Sequence, residues 1–184
     1  MIRYLHFPLL SFMIACGGGA GERNPVPAGG HDQAERLIGE NRDAVRMEDR
    51  DIRLYAARME LDLRTTDRGV RYRIVRDEPG PTVRGGQWAM VNYRSVLLNG
   101  DTAYASTPGR PEAFKVEMDD VESGLHEGVQ LLSPGDSAIL VIPSYRAHGL
   151  IGDMDRIPPR STVVYHIGLV KVSGEPFGEK GGAR

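Results

Sequence analysis

The chain has 184 residues, 40% of them hydrophobic and 26% charged, with a formal net charge of −2. That length fits one domain with extensions. The balance leaves no basic footprint for nucleic acid, because Arg42, Arg46 and Arg50 alternate with acids. With 23 glycines and 12 prolines, the composition argues for turns and a β-rich core rather than a helical bundle.

Residues 1–15 carry Arg3 and then an apolar run from Leu5 to Ala15. That is a secretory signal pattern, too short to span a bilayer comfortably. Cys16 is the single cysteine, so no disulfide forms within the chain. It stands where the apolar run stops, in Met13-Ile14-Ala15-Cys16, which resembles a bacterial lipobox apart from its methionine. The cysteine of a lipobox is lipidated and becomes the mature N-terminus. The alternative is a plain signal peptide with an incidental cysteine. Residues 16–30, rich in Gly and Pro, read as a flexible tether.

An extension over 31–66 turns helical. Val45, Ile52, Tyr55, Ala56, Met59 and Leu63 recur at steps of three and four, and Asn41 is placed to cap the stronger segment. A helix with one apolar stripe must pack on something. Along 41–63 the candidates are its own domain, a second copy, or a partner protein.

A domain over 67–173 follows. Val70, Tyr72 and Ile74 alternate as a half-buried strand. Ala89, Val91, Tyr93, Ser95 and Leu97 share a face of a second, which ends at the tight-turn pair Asn99-Gly100. Phe114, Val116 and Met118 alternate in a third. Ser123 is placed to cap a short helix carrying Leu125, Val129 and Leu132 inward. Ser133-Pro134-Gly135-Asp136 meets the demands of a type II turn. Ala138–Ile142 is a buried strand, and Val163, Tyr165, Ile167 and Leu169 line a face of the last. Residues 174–184 read as a disordered tail. The fold class is α+β: a twisted antiparallel sheet wrapped around a short helix, preceded by a long amphipathic helix.

Hydrolytic equipment is missing. Ser123 and His126 are three apart, but no Gly-x-Ser-x-Gly elbow surrounds the serine. The five histidines have no metal-ligand spacing, with His126 read as an exposed helix residue and His166 as an outward strand residue. Neither Gly149 to Gly152 nor Gly124 to Gly128 carries the Lys-Ser/Thr of a phosphate loop. No cofactor or metal is expected. An apolar pocket with phenolic and amide donors remains, suited to a prolyl side chain.

In order, Val91-Asn92-Tyr93, Asn99-Gly100, Phe114, Val121 to Gly128, Ser133 to Asp136, Ala147-His148-Gly149 and Ile157-Pro158-Pro159 before Thr162-Val163-Val164-Tyr165 resemble the FKBP-type peptidyl-prolyl isomerase family. The resemblance covers roughly 70–172. The 122–128 motif, the preceding helix and the lipobox are similar to a narrower group, the FKBP-type lipoproteins of Bacteroidetes-like bacteria, including gliding-motility-associated isomerases. The resemblance implies a pocket of Tyr93, Tyr104, Phe114, His148 and Tyr165 as catalytic residues, with Val121, Glu122, Leu125 and Ile157 binding substrate. Tyr104 takes its place only with one extra residue after Asn99-Gly100; without it the place falls to Ala103. Three positions depart from the family: Leu125 where tryptophan is usual, His148 where tyrosine is usual, and Ala105 where an acid is usual.

The implied activity is isomerisation of X–Pro bonds in exported polypeptides. The implied location is the cell envelope, on the periplasmic side of the outer membrane and held by lipid on Cys16. The alternatives are an FKBP-like binding or chaperone module without turnover, and a structural lipoprotein of motility or secretion machinery that works through the helix at 41–63.

Overall fold

The computed structural model describes residues 29–177. The signal at 1–15, Cys16 with its lipidation, nearly all of the 16–30 tether and most of the 174–184 tail lie outside the described residues. The chain divides into two compact units, one ending at Glu40 and one beginning at Asn41. Helix α1 (Gly29–Arg58) supplies the described part of the first unit and opens the second.

The second unit is built on strands β1 (Arg64–Thr65), β2 (Arg71–Arg76), β3 (Trp88–Leu97), β4 (Thr102–Ala105), β5 (Glu112–Lys115), β6 (Ser137–Ile142) and β7 (Val163–Ser173), with helix α2 (Ser123–Val129) between β5 and β6. Among the described residues they form one antiparallel sheet in the order β1-β2-β6-β7-β3-β4, with β5 also paired to β3.

The period-two alternation of the central strands explains their burial. Leu140 and Ile142 of β6 and Val163 and Tyr165 of β7 share a core with Leu125 and Val129 of α2 and with Leu132. Their neighbours Val141 and Val164 point to the other face, where they meet Val96, Ile52 and Tyr55. With both faces covered, these strands read as nearly unbroken apolar runs.

Helix α2 lies close on the sheet because its inward face holds glycines four apart. A Cβ on Gly124 would collide with Ile142 and press on the Arg146 carbonyl, and one on Gly128 would collide with Leu140. Ahead of α2 stands Glu122, extended and with no capping hydrogen bond from its side chain. Ser123 is therefore not the cap that its spacing predicts. Its hydroxyl donates instead to the Arg146 carbonyl at 3.2 Å. The turn at 133–136 forms as expected: Gly135 takes φ +100° and the Asp136 N–H reaches the Ser133 carbonyl at 3.0 Å. The Asp136 carboxylate also accepts from the N–H groups of Ser133 (2.7 Å) and Glu78 (2.6 Å).

The long helix stops short of Leu63. Glu60 takes φ +53°, the Leu61 N–H bonds to the Ala56 carbonyl and the Glu60 N–H to that of Ala57, a Schellman ending. The chain then turns into β1, so Leu63 belongs to the approach to a strand. Of the expected apolar stripe, Ile52 and Tyr55 are buried on the back of the sheet, whereas Val45 and Met59 are about half exposed. Glu48 fastens this part of α1. Its carboxylate accepts from the Ser144 N–H (2.6 Å), the Ser144 hydroxyl (3.0 Å) and the Thr162 hydroxyl (2.6 Å).

One further expectation is corrected. The third strand ends at Lys115; Val116 is still buried, but Glu117 has φ +63° and Met118 is exposed. Strand β4 is too short and mixed to show a pattern in the sequence.

Candidate functional site

One cavity of about 660 Å³ opens between α2, the outer strands and the segment after β6. Tyr93 comes from β3, Tyr104 from β4, Phe114 from β5, Val121, Glu122 and Leu125 from the start of α2, His148 from the loop after β6, and Tyr165 from β7. The sheet brings the aromatic groups together. Ser95 of β3 faces both Tyr104 and Tyr165 across its two ladders, and Ala89 faces Phe114. The Tyr93 and Tyr165 rings lie 5.8 Å apart at 46°.

Ile157 is the exception among the expected site residues. Its N–H donates to Asp153 Oδ1 at 2.8 Å and its carbonyl accepts from the Asp153 N–H at 3.1 Å. That pinned turn sends the side chain into the core, where it is 2% exposed and packs in the same cluster as Phe114 and Tyr165, rather than onto the cavity surface. The choice between Tyr104 and Ala103 falls to Tyr104. The β3–β4 ladder pairs Ser95 with Tyr104 and Val96 with Thr102, so Ala103 is an extra residue on β4. Ala103 is buried and Tyr104 lines the cavity.

The polar contacts escaped the sequence. Glu122 Oε1 accepts the Tyr165 hydroxyl at 2.6 Å and lies 2.8 Å from His148 Nε2. The Tyr165 phenol is pushed well above its usual range, first by burial and then by the charge and hydrogen bond of Glu122. The Tyr93 hydroxyl donates to Glu112 at 3.2 Å, and burial together with that carboxylate raises its pKa to about 12. The Tyr104 hydroxyl donates to Asp153 at 2.5 Å and also approaches Asp155 at 3.2 Å, raising its pKa to about 12. Desolvation acts upward on Asp153, but the bonds from Tyr104 and from the Asp155 and Ile157 N–H groups outweigh it and bring its pKa to about 2. No spacing rule finds the carboxylate partners of these tyrosines, since they lie 19 to 51 residues apart.

Nothing in the cavity is arranged for nucleophilic attack. The Ser123 hydroxyl is turned to Arg146. His126 is not an exposed helix residue: Nδ1 accepts from the Glu117 N–H at 3.0 Å, Nε2 lies 3.1 Å from the Asp119 carbonyl, and the ring packs edgewise on Phe114. It braces the segment between β5 and α2.

A sheet is wrapped over a short helix, with an aromatic-walled cavity at its edge. The chain belongs to the FKBP-type peptidyl-prolyl cis-trans isomerase family, whose model matches residues 80–170. It is 31% identical over 106 residues to FK506-binding protein 2 of Dictyostelium discoideum, covering 57% of this chain and 78% of that one. It is 32% identical over 120 residues to the FKBP-type peptidyl-prolyl cis-trans isomerase FkpA of Escherichia coli, covering 64% of this chain and 43% of that one. The chain thus spans less than half the length of that relative. The crystal structure of FkpA superposes with a TM-score of 0.61 at 26% identity, covering 79% of this chain and 68% of that one. A peptidyl-prolyl cis-trans isomerase from Pseudomonas syringae gives 0.60 at 28% identity, covering 72% and 95%.

Proposed function

We propose that the chain is a peptidyl-prolyl cis-trans isomerase acting on proline-containing exported polypeptides. The observation that carries this reading is the cavity itself: Tyr93, Phe114, Leu125 and Tyr165 wall a space of about 660 Å³, ample for a pyrrolidine ring. The barrier to amide rotation is roughly 18–20 kcal/mol, because resonance gives the C–N bond double-bond character. The two isomers of an X–Pro bond lie close in energy, so only the barrier needs help. A site that binds the twisted amide better than the planar one lowers it.

Burying the proline ring in the apolar walls holds substrate in either state. Removing water from the preceding carbonyl disfavours the planar, charge-separated form more than the twisted one. The Glu122 N–H opens the first turn of α2, where donors lack helical acceptors, and is placed to hold a substrate carbonyl.

An exchange or protease-coupled assay on a Leu-Pro peptide, with protein from Gly17 onward, tests this. Acceleration lost in Phe114→Ala supports turnover. No acceleration from folded protein favours a module that grips proline without turning it. The His148–Glu122 contact speaks for that second reading, because it engages one of the two ring nitrogens that could donate to a peptide carbonyl.

We further place the protein in the cell envelope, lipid-anchored through Cys16 to the outer membrane and facing the periplasm, as in the narrower lipoprotein group that the sequence resembles. Labelled fatty acid retained by the wild type and lost in Cys16→Ser is the test. No helix among the described residues is long and apolar enough to cross a membrane. The exposed Val45, Met47 and Leu54 keep part of the 41–63 segment available to a second copy or another protein.

A further inference from the structure

Glu122 brings a carboxylate into the wall of the cavity, beside the aromatic groups of Tyr93, Phe114 and Tyr165. Its side chain is 10% exposed. Oε1 serves both the Tyr165 hydroxyl and His148 Nε2, while Oε2 has no hydrogen-bond partner among the described residues. Glu122 is thus a nearly buried acid with one oxygen left over, and its own residue lines the cavity.

The surrounding charge has one sign. Glu112 and Asp120 also line the cavity, and no lysine or arginine does; His148 is the one basic group. The nearby Arg156 is held elsewhere, with its guanidinium over the Tyr104 ring at 5.3 Å, bonded to the Ala103 carbonyl at 3.0 Å and 3.8 Å from Asp155. Arg146 is engaged by Glu127 at 2.7 Å.

We propose that Glu122 determines substrate choice: the pocket selects prolines flanked by a lysine or arginine, whose cationic group meets Glu122 Oε2, and rejects prolines flanked by an acid. The inference rests on the prolyl-binding reading above and refines it. In a site partly shielded from water, a charge pair at contact is stronger than on an open surface. An acidic residue beside the proline meets the same carboxylate with the opposite sign, so discrimination has an attractive and a repulsive side. Roughly tenfold between Lys and Glu peptides is the expected scale.

The test uses four peptides differing only beside the proline: Lys before it, Lys after it, and Glu or Leu in place of the preceding Lys. Turnover is read by exchange NMR and affinity by chemical-shift titration, for the wild type and for Glu122→Gln. The expected result is a Lys peptide favoured over its Glu counterpart by roughly tenfold at low salt. The ratio should fall as salt rises toward about 1 M, though by less than for a fully exposed pair because the site is partly shielded, and should shrink toward one in Glu122→Gln. The wild-type salt series stands even if the variant folds poorly.

Equal handling of Lys and Glu peptides by the wild type overturns the inference, and if the Leu peptide is turned over, the isomerase reading survives alone. A preference unchanged in folded Glu122→Gln also overturns the assignment to Glu122. Tighter, salt-sensitive binding of a Lys peptide without turnover of any peptide upholds the inference and removes the isomerase reading.

Discussion

The Tyr104 hydroxyl donates to Asp153 Oδ2 at 2.5 Å, joining β4 to the loop that leads into Ile157. The other oxygen of the same carboxylate takes the N–H groups of Asp155 (2.9 Å) and Ile157 (2.8 Å). One acid therefore sets both the turn of the loop and the stance of a tyrosine at the cavity. Residue 105, which is alanine, supplies no carboxylate of its own.

The Asp153 pKa lies at about 2 against 3.8 for the free side chain. The folded state binds that proton less readily than the unfolded state, so the stabilisation is present above about pH 4 and lost as pH falls toward 2. Asp153→Asn removes the charge. The gap in urea midpoint between wild type and Asp153→Asn should be constant through neutral pH and close between pH 4 and 2. A gap that widens on acidification would show that the carboxylate is not held in this way.

Phe114 is 7% exposed and belongs both to the core and to the cavity wall. Phe114→Ala should cost about 3–5 kcal/mol of stability. The same variant should lose turnover of a Leu-Pro peptide under conditions where it is still folded. Denaturant titration beside the isomerase assay separates the two effects; a variant with normal stability and normal turnover would remove Phe114 from the wall.

Gly124 sets two tendencies against each other. Alanine is favoured over glycine inside a helix by about 1 kcal/mol. The added Cβ, however, meets Ile142, which is fully buried, and the Arg146 carbonyl at 3.2 Å. Overpacking of that kind costs about 1–3 kcal/mol. Gly124→Ala should therefore destabilise, and a rise in melting temperature would show that α2 can lift off the sheet without loss.

How far the sequence discloses this molecule depends on the range of the interaction. Strands β3, β6 and β7 announce themselves because alternate residues meet two different cores, and the 133–136 turn because Gly135 must take a positive φ. Periodicity misleads where an apolar residue serves the next element: Leu63 continues the spacing of α1 but follows the left-handed Glu60 into a strand. The aromatic walls were legible from motif order, and the acids that hold them were not. Glu112 and Asp153 look like ordinary surface charges until folding sets each beside a tyrosine hydroxyl, and Glu122, picked out by its motif, shows the bond of its carboxylate to Tyr165 only in the fold. Ile157 shows the reverse, a motif residue whose side chain packs in the core.

Glu48 offers the sharpest test of how α1 is attached. Three donors converge on its carboxylate, from Ser144 after β6 and Thr162 before β7. Hydrogen bonds to a charged group contribute about 1.5–3 kcal/mol each, though bonds sharing one acceptor do not add in full. Burial of Ile52 behind the sheet contributes about 1.5–3 kcal/mol more. Removing the carboxylate should therefore loosen the helix without releasing it. Glu48→Ala is expected to cost about 2–4 kcal/mol. Amide exchange in residues 48–58 should accelerate well beyond that in β6 and β7, because the lost contacts lie between α1 and the sheet. Equal acceleration in helix and strands would mean that α1 and the sheet unfold only together, and unchanged exchange would mean that Ile52 and Tyr55 hold the helix by themselves.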